Sequence, residues 1–197
     1  VDEERLKRVT ELSVRLLDNV IDLSDFPVEK VNSTFRNNRR IGLGVMGFAD
    51  MLYQLRIPYN SQEGFDTARK VMGLINKTAD EYSIKLGAEK GCFPNWEFSI
   101  FNEEGKNTTR RNSALTTVAP TGSISMLLDC SSGVEPFFAL AYYKEVMSGQ
   151  KLIYVNSFLE AELKRLDLYR EDIIEKIQST GTLQHIDEIP EETRKVF

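Results

Sequence analysis

The 197-residue sequence carries 25 Lys and Arg against 30 Asp and Glu, a formal net charge of −5, with 41% hydrophobic and 28% charged residues. That composition belongs to an ordinary folded domain, and no run of about eighteen apolar residues exists to span a bilayer. The acidic balance argues against nucleic acid as the main partner, because backbone phosphates need a basic face. At this length roughly two thirds of the unfolded surface can be buried, so one domain over residues 1–197, or a large piece of one, is expected.

Taken in chain order, Leu6, Val9, Ser13, Leu16, Leu17, Val20 and Ile21 recur at steps of three and four. They predict an amphipathic helix from about Glu3 to Leu23, ended by Asp25-Phe26-Pro27. The Asn- and Arg-rich stretch 31–40 shows no period and reads as a loop. It leads into Gly42-Leu43-Gly44-Val45-Met46-Gly47, which opens a helix through Ala49, Met51, Leu52 and Leu55 that stops before Pro58. Ser61 is the expected N-cap of the strongest helix, whose stripe runs Phe65, Ala68, Met72, Ile75, Ala79, Tyr82 and Leu86, with Gly87 as its stop. Residues 91–112 read as a polar surface excursion, and 114–118 as a short buried strand feeding Pro120-Thr121-Gly122-Ser123 and then 124–128. A further strand is expected within 137–146, before a turn at Ser148-Gly149. Asn156 or Ser157 then caps a helix through Leu159, Leu163 and Leu166, and another carries Ile173, Ile174 and Ile177 to Gly181. The sum is an α/β piece in which helices dominate.

Chemistry-bearing residues are few. Cys92 and Cys130 form no disulfide framework and neither has the spacing of a zinc site. A single histidine, His185, leaves Ser-His-Asp or Cys-His hydrolysis without support and excludes a His-rich metal site. The Val1 N-terminus is charged and has no apolar stretch of signal-peptide type, so the expected setting is cytoplasmic, in a chain that begins inside a longer protein.

Two glycine motifs compete. Gly42 to Gly47 fits G-x-G-x-x-G, yet the buried strand that a dinucleotide fingerprint requires is replaced by Arg36-Asn37-Asn38-Arg39-Arg40. The plainer reading is close packing of a helix start against neighbouring backbone. In 116–125 an apolar strand runs into a tight turn of small residues that begins a helix. Free N–H groups there carry partial positive charge, and Thr121 and Ser123 add hydroxyls, so a phosphate can be held without lysine. The alternative is that these residues simply cap the helix.

Three stretches decide between the readings. Arg-Arg-Ile-Gly-Leu-Gly-Val-Met-Gly-Phe-Ala-Asp-Met-Leu at 39–52, Ala-Pro-Thr-Gly-Ser-Ile-Ser at 119–125 and Ser-Ser-Gly-Val-Glu-Pro-Phe-Phe-Ala at 131–139 resemble, in order, signature stretches of ribonucleotide reductase large chains. The similarity extends over nearly all of the chain, including Leu-Asp-Asn-Val-Ile-Asp at 17–22. The Thr-Gly-Ser loop and the Ser-Ser-Gly-Val-Glu-Pro stretch are most similar to the adenosylcobalamin-dependent class II.

The resemblance implies the helix-rich second half of a ten-stranded α/β barrel. It also implies reduction of ribonucleotides to 2′-deoxyribonucleotides by a cysteine thiyl radical, with a cysteine pair supplying two electrons and the 2′-hydroxyl leaving as water. Pro120, Thr121, Gly122, Ser123 and Ile124 match the stretch that holds the substrate diphosphate or triphosphate. The family's catalytic Asn-x-Cys-x-Glu stretch is absent, so no catalytic residue is assigned here and the isolated chain is expected to be inactive. Cys92 and Cys130 read as small, partly buried side chains. Adenosylcobalamin is the implied cofactor of the intact enzyme, bound elsewhere, with a ribonucleoside di- or triphosphate and the remainder of the reductase chain as partners. Tyr142-Tyr143 reads as packing, Glu135 as shaping its turn, and Arg110-Arg111 as a solvated face. The rival from another class is a helical interaction module whose Gly and Ser turns are caps only, and an oxidoreductase built on Gly42 to Gly47 is the third reading.

Overall fold

A computed structural model describes residues 1–103, 108–145 and 151–197. The chain forms two compact units, the first of residues 1–44 and 67–119, the second of 45–66 and 120–197.

The first unit opens with α1 (Glu3–Leu23), started by Asp2, whose side chain accepts from the Arg5 amide, with Glu3 and Glu4 in the first turn. The helix is where the periodicity puts it, but its buried face differs. Thr10, Val14, Asp18 and Ile21 face inward, while Val9, Leu16 and Val20 are exposed. Two adjacent stripes both satisfy the helical period, and the choice was made by partners that Asp18 finds elsewhere.

The expected loop over 31–40 is instead a helix, α2 (Glu29–Asn38). It buries no residue and is tied by local bonds such as Thr34 Oγ1 to Lys30 O at 2.8 Å and Asn38 Nδ2 to Thr34 O at 2.9 Å. With only Val31 and Phe35 apolar within it, no periodic signal exists to read. Its end is fixed at Arg39, left-handed at φ 44°, whose guanidinium donates to buried Asp18 through Nε at 3.0 Å and Nη2 at 2.8 Å, and to Asp22 at 2.7 Å.

The chain then runs extended beside 114–117. Ile41 N donates to Ala114 O, Leu43 N to Leu115 O and Thr117 N to Leu43 O, a parallel pairing with one bridge, Leu43 to Thr116. The strand expected over 114–118 is reduced to these rungs. Gly42 and Gly44 exist for this contact: a Cβ would stand 2.9 Å from Thr117 Cγ2 at Gly42 and 3.0 Å from Thr117 O at Gly44. The space a pyrophosphate would need is taken by Thr117, which removes the dinucleotide reading.

The long helix α4 (Gln62–Lys90) does not stop at Gly87. It continues to Gly91, which takes the left-handed C′ conformation at φ 85°. Gly87 is needed because the backbone of Arg110 lies against it, with a Cβ placed 2.8 Å from Arg110 Cα. Gly87→Ala is therefore expected to lower stability by about 1–3 kcal/mol through overpacking. At an open helix position the same change would stabilise by roughly 0.5–1 kcal/mol. A rise in melting temperature would refute the close approach.

That approach also corrects two expectations about 91–112, which contains short 3-10 helices at Pro94–Phe98 and Ile100–Asn102. The segment is not wholly a surface excursion, since Phe93 and Asn112 are buried. Nor are Arg110 and Arg111 solvated. Arg110 is buried against the Phe101 ring at 4.1 Å and pairs with Asp80 at 2.8 Å. Arg111 donates to Asp18 and to the Lys90 and Gly91 carbonyls. Their acidic partners sit tens of residues away in sequence, beyond any local pattern.

In the second unit α3 (Phe48–Leu55) starts from Gly47 at φ 73° and ends at left-handed Arg56. Ser61 begins α4 as expected, accepting from the Gly64 amide at 3.0 Å. After α5 (Gly122–Leu127), β1 (Ala141–Glu145) pairs antiparallel with β2 (Lys151–Val155), in the register Tyr142 to Tyr154 and Tyr143 to Ile153. The strand expected within 137–146 is this shorter β1; Val146 and the turn at Ser148-Gly149 lie outside the described residues. Asn156 caps α6 (Ser157–Arg165) through Oδ1, and α7 (Glu171–Thr180) ends at Gly181 with φ 70°. Leu159, Leu163, Ile173, Ile177, Leu183 and Ile189 form the core here, closed by α8 (Glu191–Val196), which no sequence signal announced.

Candidate functional site

Residues 120–132 of the second unit fold back on themselves around α5. Thr121 stands at φ 47°, ψ 14°, a left-handed conformation that is costly for a β-branched residue. Gly122 then starts the helix. The amides of Gly122, Ser123 and Ile124 meet no acceptor among the described residues, as first-turn N–H groups do, and all three residues are exposed. A Cβ on Gly122 would meet nothing within 4 Å.

The hydroxyls divide. Thr121 makes no capping bond to the helix; its Oγ1 lies 3.1 Å from Ser132 Oγ. Ser132 Oγ in turn donates to the Pro120 carbonyl. A serine has one proton to give, so in the pair it accepts and Thr121 donates. Simple capping is thus not what these residues do. The Ser123 side chain makes no hydrogen bond among the described residues, and the residue is exposed.

Behind the loop sits Asp50 of α3. Its Oδ2 accepts from the Ser131 amide at 2.8 Å, while the Ser131 carbonyl accepts from the Gly47 amide at 2.8 Å. Burial pushes the Asp50 carboxyl above the ordinary carboxylate range, against the opposing Ser131 amide. The other end of α5 is held by Cys130 N on Ser125 O and by Tyr154, whose hydroxyl donates to Asp129 Oδ1 at 2.9 Å. The turn after it closes from Glu135 N to Ser132 O across Gly133 at φ 53°, and Tyr59 donates to the Val134 carbonyl. Glu135 itself is exposed, in keeping with a turn-shaping role. Sequence reasoning named 120–124 but missed Asp50 and Ser132. Both lie in the quoted signature stretches, though nothing local says that those stretches meet.

The remaining candidates stay quiet. Cys92 and Cys130 are free and half-buried, and burial pushes the Cys130 thiol up, away from reactive thiolate character. Tyr142 packs on Tyr154 across the hairpin, with ring centroids 4.9 Å apart, as the packing reading expects. His185 is exposed, and among the described residues no three His, Cys, Asp or Glu side chains converge on a metal position.

Within the second unit, then, a small-residue loop with open amides is held against the glycine-started helix α3. A family profile described as "Ribonucleotide reductase, barrel domain" matches residues 1–197, and the chain belongs to that family. It is 44% identical over its whole length to a vitamin B12-dependent ribonucleoside-diphosphate reductase of Thermoplasma acidophilum, covering 25% of that protein. A protein of the same name from Mycobacterium tuberculosis is 38% identical over the whole chain, which covers 27% of it. Among solved structures, the alpha subunit of the Actinobacillus ureae class Id ribonucleotide reductase matches the entire chain with a TM-score of 0.78 and 26% identity, over 35% of that subunit. The chain thus spans about a quarter of the length of the curated relatives it matches. No described helix is long and apolar enough to cross a membrane.

Proposed function

We propose that residues 1–197 form part of the catalytic barrel of a reductase that converts ribonucleotides to 2′-deoxyribonucleotides by thiyl-radical chemistry, and that this part holds the substrate's phosphates. The barrel is the ten-stranded type, with the parallel pairing of 41–43 and 114–117 as two of its adjacent strands. The ligand is a ribonucleoside di- or triphosphate. Pro120, Thr121, Gly122, Ser123 and Ile124 form its cradle, and the observation that carries this reading is the set of three open amides at 122–124 beside an unengaged Ser123 hydroxyl. Such donors hold an anion by hydrogen bonds and by the partial charge of the helix start. Anchoring the charged tail fixes the distant ribose, so that binding energy remote from the chemistry is realised as orientation.

The radical cysteine and its glutamate belong to the rest of the reductase chain, and that remainder is this chain's partner. The apolar side chains left exposed on α1 and around α5, Leu12, Leu16, Met126 and Leu127, suit a piece covered by more of the same barrel. Adenosylcobalamin serves the intact enzyme, as the names of the Thermoplasma and Mycobacterium relatives suggest. The setting is the cytoplasm.

The test is Gly122→Ala in the intact reductase. The added methyl enters open space in the folded protein, so the melting temperature should hold, while the bound phosphate is crowded and the nucleotide KM should rise about tenfold, roughly 1.4 kcal/mol. An unchanged KM sinks the cradle.

A further inference from the structure

We infer that Ser132 is a positioning residue for the nucleotide phosphates, acting through Thr121 rather than by touching the ligand. The inference rests on the cradle reading above and deepens it.

Three observations converge on Ser132. Its hydroxyl donates to the carbonyl of Pro120, the residue that enters the cradle. The same oxygen accepts from the hydroxyl of Thr121, 3.1 Å away. Thr121 is the residue in a left-handed conformation at φ 47°, and its dihedrals set the direction in which the next three amides point. A non-glycine, β-branched residue is strained there and persists only where its surroundings over-determine it. Ser132 supplies two of those surroundings from one atom, one at the strained residue itself and one at the carbonyl of the residue before it.

Ser132 is itself fixed from behind. The preceding residue, Ser131, is 1% exposed and donates its amide to Asp50 Oδ2, with its carbonyl held by the Gly47 amide. The following turn is closed by the Glu135 amide on the Ser132 carbonyl. The hydroxyl is therefore presented from a rigid bracket, anchored on α3, to a loop that has no other side-chain hydrogen bond to Thr121 among the described residues. Residues one shell away from a ligand that lock the geometry of those touching it are where positioning to a fraction of an ångström is decided.

The experiment compares Ser132→Ala, Ser132→Thr and Gly122→Ala in the intact reductase, reading KM for the nucleotide, kcat and melting temperature for each. Ser132→Ala is expected to raise the nucleotide KM about five- to tenfold, with a fall in kcat of no more than about threefold. Ser132→Thr, which retains the hydroxyl, is expected to return KM to within about twofold of the parent. If Gly122→Ala raises KM and Ser132→Ala does not, the cradle stands and the positioning role is overturned. If Ser132→Thr shows the same KM as Ser132→Ala, the hydroxyl is not the agent and the inference fails as well. If neither Gly122→Ala nor Ser132→Ala moves KM, the cradle reading itself has failed.

Discussion

Replacing Asp18 by alanine should destabilise the chain by about 3–5 kcal/mol, seen as a fall in the urea midpoint of the first unit at unchanged slope. Asp18 is fully buried in α1. Its Oδ1 accepts from Arg39 Nε and Nη2 and from Asn112 Nδ2 at 3.0 Å, while Oδ2 faces Arg111 Nε at 3.4 Å and Lys90 Nζ at 3.6 Å. Three separate parts of the chain, the end of α2, the end of α4 and the segment 110–112, are thereby joined to one carboxylate. Removing it leaves the Arg39 guanidinium, 6% exposed, with Asp22 as its remaining carboxylate among the described residues. A buried cation stripped of a partner is the expensive case, whereas replacing a whole buried pair by apolar groups can be neutral. Asp18→Asn should recover little, because its NH2 would face donors in either orientation, Arg111 and Lys90 at the Oδ2 position or Arg39 and Asn112 at the Oδ1 position. A midpoint change worth less than about 1 kcal/mol for Asp18→Ala would show that the cluster is not a structural hub.

The second unit should lose stability in acid through Glu162. This carboxylate is 9% exposed and accepts from Arg165, from buried Thr193 Oγ1 at 2.9 Å and from Arg56 at 3.0 Å. The Arg165 hydrogen bond, followed by those of Thr193 and Arg56, outweighs burial and holds its carboxyl down at about 2, against 4.5 for a free glutamate. A group whose folded pKa is depressed contributes stability that is fully present above the unfolded value and lost as pH falls through the folded one. Stability should therefore decline from about pH 4.5 towards pH 2, by on the order of 2–3 kcal/mol after allowance for the two half-exposed arginines. Glu162→Gln should flatten that decline and cost a similar amount at neutral pH. Equal acid sensitivity in the variant and the parent would assign the effect to other carboxylates.

Legibility from sequence followed the range of the forces involved. The helix over Glu3–Leu23, the Ser61 and Asn156 caps, and the stops at Pro58 and Gly181 were readable because each is settled within four residues of itself. Gly87 was misread as a stop because its real reason, the backbone of Arg110, lies outside the helix. The polar helix α2 was missed since it carries no apolar stripe, and Arg110 and Arg111 looked solvated until Asp80 and Asp18 came beside them. The candidate site divided in the same way. Residues 120–124 stand out as a small-residue loop before a helix, but the Ser132 hydroxyl and the Asp50 carboxylate that hold it arrive from other segments.

By itself the sequence pointed to the family, through three ordered stretches that resemble its signatures, and the profile match over residues 1–197 agrees. It also determined the limits of α1, the starts of α4 and α6 and the end of α7, because capping and periodicity are short-range. Only the tertiary structure decided which stripe of α1 is buried, which glycines serve close contacts, and which hydroxyl of the loop is engaged and which is open. Those outcomes depend on groups brought together across tens of residues, where a hydrogen bond or a 3 Å approach leaves no mark on the local pattern of the chain.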